Sequence, residues 1–180
     1  MKKSKVFIFI FLLLSTNVYS QLKVGLTGGM VLSSLVRDSQ LDAKAGKVGY
    51  IVGANARIYL GELGWFVQSG ISYSLEGDVD QKLNFVKIPM VLGFSFADDV
   101  NIHAAYDFAW QVGNQNDVQD FYNSNANMLG LGAEINVSEK FAIGFRLNYG
   151  LSNLVKDPME ARNFKIKPLT LDLYLNYFFL

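Results

Sequence analysis

The sequence predicts an all-β protein: an eight-stranded antiparallel up-and-down transmembrane β-barrel that follows an N-terminal signal peptide. Three observations lead there. Beyond residue 20 no stretch sustains a helical period, and runs of about a dozen residues alternate instead between two kinds of side chain. In each run one parity is apolar, while the other is glycine, alanine and serine with occasional charges. The connections between runs alternate between short and long.

The opening segment stands apart. MKKSKVFIFIFLLLSTNVYS (1–20) begins with Lys2, Lys3 and Lys5, runs apolar from Val6 to Leu14, then turns small and polar. Those are the charged, hydrophobic and cleavage regions of a secretory signal peptide. The apolar run is shorter than the ~20 residues a helix needs to cross a bilayer. Residues 21–180 are expected to form one domain. Three of the 16 basic residues leave with the signal, so 13 face 16 acidic ones and the mature chain carries −3. A mildly acidic chain offers no platform for nucleic acid. With no cysteine there is no disulfide framework, thiolate metal site or lipoprotein anchor; with a single histidine as well, no metal set or other cofactor site is expected.

The strands follow in order: LKVGLTGGMVLS (22–33), GYIVGANARIYL (49–60), WFVQSGISYSL (65–75), FVKIPMVLGFSF (85–96), NIHAAYDFAWQV (101–112), LGLGAEINV (129–137), FAIGFRLNYGLS (141–152) and LTLDLYLNYFFL (169–180). The seventh run is the clearest. Phe141, Ile143, Phe145, Leu147, Tyr149 and Leu151 share one face, and Ala142, Gly144, Arg146, Asn148, Gly150 and Ser152 share the other. Short connections fall after the second, fourth and sixth runs, as GELG (61–64), ADDV (97–100) and SEK (138–140). The longer polar segments 37–48, 76–82, 113–127 and 153–165 gather at the opposite end. An even number of strands with turns at one end and loops at the other is the layout of a bacterial outer-membrane barrel.

The faces separate this reading from a soluble barrel, which would also alternate. A soluble exterior must be charged, whereas Gly25, Gly29, Gly53, Gly70, Gly93, Gly130, Gly132, Gly144 and Gly150 occupy the non-apolar parity here, and only Gly28 joins the apolar one. Small residues suit a narrow lumen that the remaining large side chains fill. The aromatics sort by end as well. Trp65, Phe96, Phe141, Tyr177 and Phe179 lie at the short-turn end of the outward face, and Tyr50, Tyr73, Trp110 and Tyr149 toward the long-loop end. Two such belts mark the interfaces of a membrane.

Several stretches also resemble the PorT-like outer-membrane β-barrel family of Bacteroidetes-type bacteria. KVGLTGGMVLSSL (23–35) is similar to its Gly-rich first strand, WFVQSGISYSLEG (65–77) to its third, and NFVKIPMVLGF (84–94) to its aromatic-x-x-Ile-Pro fourth strand. LGLGAEINVSEKFAIGFRLNYGLSNL (129–154) is the fullest match, with Gly-x-Gly, a short turn and Arg-x-x-Tyr-Gly-Leu. Lys87 departs from the pattern, since the family often has an acidic residue there. The resemblance implies an OmpX-like architecture in the bacterial outer membrane, both termini periplasmic, and permits a role beside secretion or envelope machinery. The ending resembles the C-terminal signal read by the barrel-assembly machinery, although Leu180 follows the expected terminal aromatic Phe179.

Chemistry has two places to reside. The inward parity carries Arg57, Lys87, Asp107, Glu134, Arg146 and Asp172, expected to pair as a structural network because unpaired buried ions are heavily penalised. Glu134 falls opposite Gly144 and diagonal to Arg146. His103, inward near the short turns, is the one candidate general base, but no Gly-x-Ser-x-Gly surrounds it. The loops are the other place, with Phe121 and Tyr122 as candidate anchors for an envelope partner. A non-enzymatic structural or interaction protein of the envelope is the expectation. A lipid-modifying enzyme using His103 and a small-solute or ligand-binding barrel stay open as alternatives.

Overall fold

The computed structural model describes residues 22–37, 47–77, 82–97, 99–114, 125–152 and 166–179. The expected signal peptide, Phe121, Tyr122, Leu180 and most of the four long connections lie outside them. Eight strands form: β1 (Leu22–Arg37), β2 (Lys47–Leu60), β3 (Trp65–Gly77), β4 (Lys82–Ala97), β5 (Val100–Asn114), β6 (Met128–Asn136), β7 (Phe141–Gly150) and β8 (Ile166–Phe178). Each pairs antiparallel with its sequence neighbours, and β1 pairs with β8 to close the barrel, Gly28 facing Leu175. Closure leaves no free edge, the condition for placing strands in hydrocarbon.

Several strands run further at the long-loop end than alternation suggests. β1 continues to Arg37, β3 to Gly77 and β5 to Asn114, while β2 begins at Lys47, β4 at Lys82 and β8 at Ile166. Arg37, Lys47, Val48, Glu76, Gly77, Lys82, Gly113 and Asn114 therefore belong to strands rather than to loops. The physical reason is that backbone pairing continues past the lipid-facing band, where the outward parity no longer has to be apolar. Two strands are shorter than expected: β7 stops at Gly150 at the long-loop end, and β8 stops at Phe178 at the short-turn end. Between β4 and β5 one residue of β5, Val112, bulges out, since Asn84 faces Gly113 while Phe85 faces Gln111.

The short connections are tight. Gly61–Leu63 form one 3-10 turn, closed by Gly64 with a φ of 77°, a left-handed conformation that glycine adopts without strain. The Gly64 carbonyl then accepts a 2.8 Å hydrogen bond from the Ser95 amide. At β6–β7 the Val137 amide donates to the Phe141 carbonyl at 2.8 Å, and the Ser138 hydroxyl accepts from the Phe141 amide at 3.2 Å.

Pro89 sits mid-strand in β4 and cannot donate to a ladder. On its β3 side, pairing stops at Ser69 opposite Met90 and resumes at Ser72 opposite Lys87 with the register unchanged. The barrel wall thus accommodates proline through a two-residue gap, without a bulge.

Side chains sort by parity. Leu26, Met30, Val52, Ile71, Met90, Leu131, Leu147 and Leu173 are exposed on the outer face. Inside, bulky groups sit over glycines of the neighbouring strand. The Phe66 ring occupies the space a Cβ on Gly93 would take, and the Tyr174 hydroxyl lies 2.6 Å from where one on Gly144 would stand. Two apolar clusters also face inward: Leu35, Leu83, Phe85, Ala109, Ala126 and Met128 toward the loops, and Phe66, Val91 and Ala105 toward the turns.

The outward face generates a stability prediction. Leu173→Arg, near the middle of β8 and 45% exposed, should cost about 2–4 kcal/mol, as basic residues at the bilayer midplane do. Reversible urea unfolding in lipid vesicles measures it, with Leu173→Ala as the control for side-chain loss.

Candidate functional site

Alternation in β2, β4, β5, β6, β7 and β8 delivers six charged side chains to one narrow lumen: Arg57, Lys87, Asp107, Glu134, Arg146 and Asp172, all buried. They form separate groups along the barrel axis.

Near the short turns, Arg57 and Glu134 make a bidentate pair across the lumen at 2.7 and 3.0 Å. The planar guanidinium matches the carboxylate fork, the strongest geometry available to such a pair. Arg57 Nε donates to Gln68 at 2.8 Å. Rings of Phe66 and Phe178 lie 4.4 and 4.9 Å from its guanidinium carbon, within cation–π range. Glu134 accepts further hydrogen bonds from Asn101 at 3.1 Å and Asn176 at 2.8 Å. Asn176 Oδ1 in turn accepts from Thr27 at 2.6 Å and Asn55 at 3.1 Å. The diagonal neighbour Arg146 is not the partner of Glu134, although Glu134 does face Gly144 in register.

At mid-height one nitrogen of Arg146 bridges Asp107 at 3.1 Å and Asp172 at 3.4 Å. Asn148 donates to Asp172 at 2.8 Å and to Thr170 at 3.0 Å. Toward the loops, Lys87 pairs with Glu76, which also accepts from Ser74 at 2.7 Å. Sequence reasoning missed Glu76, because the apolar alternation ends just before it. Its inward parity within β3 was the available signal, since Phe66, Gln68, Gly70, Ser72 and Ser74 precede it on that face.

His103 packs inward beside Tyr174, with its Nε2 3.5 Å from the hydroxyl. Among the described residues it makes no hydrogen bond to a serine or a carboxylate. In register it stands between Gly93 and Gly132. No group of histidine, cysteine and acidic residues able to hold a metal occurs among the described residues.

The outward aromatics lie as follows. Trp65, Phe96, Phe141 and Phe179 are exposed at the short-turn end, with Tyr177 half-buried beside Phe141. Tyr50, Trp110 and Tyr149 are exposed toward the loops, with Tyr73 half-buried against Tyr50 at 6.2 Å. Tyr106, Phe108 and Phe145 also face outward, between the two ends, so outward aromatics are not confined to the rims.

A closed eight-stranded barrel with an apolar exterior and a lumen filled by paired charges defines the class: a transmembrane β-barrel. The family model described as outer membrane protein beta-barrel domain matches residues 7–169, and the chain belongs to that family. It is an outer-membrane barrel protein and sits in the lipid of that membrane. Solved structures share the fold, among them the two that follow. Ail, the attachment invasion locus protein of Yersinia pestis, is 15% identical with a TM-score of 0.56, covering 88% of this chain and 99% of Ail. Neisserial surface protein A (NspA) is 9% identical with a TM-score of 0.55, covering 87% of this chain and 97% of NspA. No protein of curated function matches the sequence.

The pairing in the lumen generates the second prediction. Arg57→Met leaves Glu134 buried without its cation and should cost about 3–5 kcal/mol, whereas Arg57→Met with Glu134→Gln should recover much of that loss. Urea titration of both variants in vesicles checks it, and equal losses would contradict the pairing energetics.

Proposed function

We propose that the protein is a non-enzymatic component of the bacterial envelope, in which a sealed barrel serves as a rigid pedestal for the segments at its long-loop end. The observation that carries this is the filling of the lumen: Arg57–Glu134 and its aromatic lid at one end, Arg146 with Asp107 and Asp172 at mid-height, and Lys87–Glu76 under an apolar cluster toward the loops. A pore needs a continuous wet path, and apolar constrictions oppose one. With the interior committed to structure, contact with a partner falls to the loop end, where rigid scaffolds commonly carry recognition.

Among the described residues His103 has the Tyr174 hydroxyl beside it and no serine or carboxylate, which supports the non-enzymatic reading, since a general base needs a nucleophile or water-activating partner within hydrogen-bond reach. The outward aromatics at the two ends serve, on this reading, as interface anchors. Both termini face the periplasm, β8 serves as the segment read by the barrel-assembly machinery, and an envelope protein is the partner class for the loops. The PorT-like stretches, 129–154 above all, support a place in that branch and with it a post beside secretion machinery.

Purified protein in planar bilayers should give no single-channel steps; regular unitary conductance would overturn the sealed lumen. His103→Ala should leave the acylation pattern of lipid A unchanged when the outer membrane is analysed by mass spectrometry. A shifted pattern would move the reading to a lipid-modifying enzyme.

A further inference from the structure

On the outer face, toward the short-turn end, an open apolar groove of about 430 Å³ lies over β3, β4, β5 and β6. That volume falls within the ~300–1,000 Å³ of sites that hold small apolar ligands. Trp65, Leu92, Phe94, Ile102 and Leu131, all of the outward parity, stand around it with Ala104. In register Ala104 lies between Leu92 of β4 and Leu131 of β6. A methyl between two exposed leucines makes the hollow. Trp65 and Phe94, paired across β3 and β4, wall it with rings whose centres are 5.1 Å apart.

Hydrocarbon surrounds this face, and a hollow left unfilled forfeits dispersion contacts on every side. The lining selects the occupant. Nine residues line the groove, too few for a protein partner, since stable interfaces take about 20–30 residues a side. None of the nine is Asp, Glu, Lys or Arg, so a charged headgroup finds no counter-charge there. Trp65 brings one polar handle, its indole N–H, at the end of the strand where membrane interfaces place aromatics. The indole only donates. A hydrocarbon chain that carries an acceptor at one end, such as an ester carbonyl, matches both the apolar hollow and the donor at its rim. The two rings have few rotamers to lose, so ordering them around a chain costs little.

We propose that this groove holds one acyl chain of a membrane phospholipid, lying against Ala104 with its ester end at Trp65. On the orientation proposed above, that lipid belongs to the periplasmic leaflet. A symmetric bilayer tests the groove whichever way the barrel points, so failure here and failure of the orientation are separate results.

Ala104→Leu fills the hollow, keeps the outer face apolar and leaves the lumen untouched. The full-length barrel, reconstituted in phosphatidylcholine and taken into mild detergent, should retain one phospholipid by native mass spectrometry, and Ala104→Leu should lose it. Equal retention by both proteins, or none by either, overturns the site. Retention of a second barrel instead, lost on the same substitution, overturns phospholipid as the occupant. The chain has two tryptophans, so Trp110→Phe leaves Trp65 as the only indole. In vesicles of phosphatidylcholine with brominated acyl chains, Trp65 fluorescence should be quenched less once Ala104→Leu is added. Unchanged quenching would overturn the contact between chain and ring.

Discussion

Hydrocarbon cannot hydrogen-bond a backbone, so every strand edge within it must be paired. In this chain that constraint is met by one contact above the others, the antiparallel pairing of β1 with β8 that turns a meander into a closed barrel. Closing at eight strands also fixes the radius. An interior of that size is only wide enough for side chains, and whatever parity faces inward must fill it. The exterior is free to be greasy because the membrane covers it; the interior has to be solved by packing and pairing.

The solution uses differences in size across neighbouring strands. Glycines admit the large groups opposite them, as Gly93 admits Phe66 and Gly144 admits Tyr174. The charges are then distributed so that each cation meets a carboxylate of another strand. Such pairs contribute little net stability compared with an apolar core, because desolvation offsets their attraction. Their effect is specific instead. A shift of register by one residue would turn every charge of a strand to the lipid, so Arg57 with Glu134, and Arg146 with Asp107 and Asp172, hold β2, β5, β6, β7 and β8 in register.

Much of this was legible in the sequence because period two is a strong signal when one face meets lipid. Strand number, order and parity follow from runs such as 141–152, and the six inward charges are visible once parity is set. Partners were less legible. Alternation places Arg146 diagonal to Glu134 on adjacent strands, yet Glu134 reaches across the lumen to Arg57, because in a narrow barrel opposite walls are as near as neighbours. Glu76 escaped for a different reason. It lies past the last outward apolar residue of β3, where pairing continues but the pattern that reveals strands has ended. The ladder gap at Pro89 was half legible: proline announces a missing donor, but whether a bulge or a gap absorbs it depends on the partner strand. Here Gly70 and Ile71 leave the register intact.

The last strand ties closure to the lumen. β8 supplies Asn176, which donates to Glu134 and accepts from Thr27 of β1 and Asn55 of β2, and Phe178, whose ring backs Arg57. Neither contact exists until β8 has docked between β7 and β1. Before that step Arg57 and Glu134 lack part of their hydrogen-bonding and their apolar lid, leaving a charged pair only partly satisfied. A partly satisfied buried network costs more than a complete one by a wide margin. The interior therefore favours the closed barrel over any open sheet, and the free energy that seals the seam comes from inside the lumen as well as from the ladder along it.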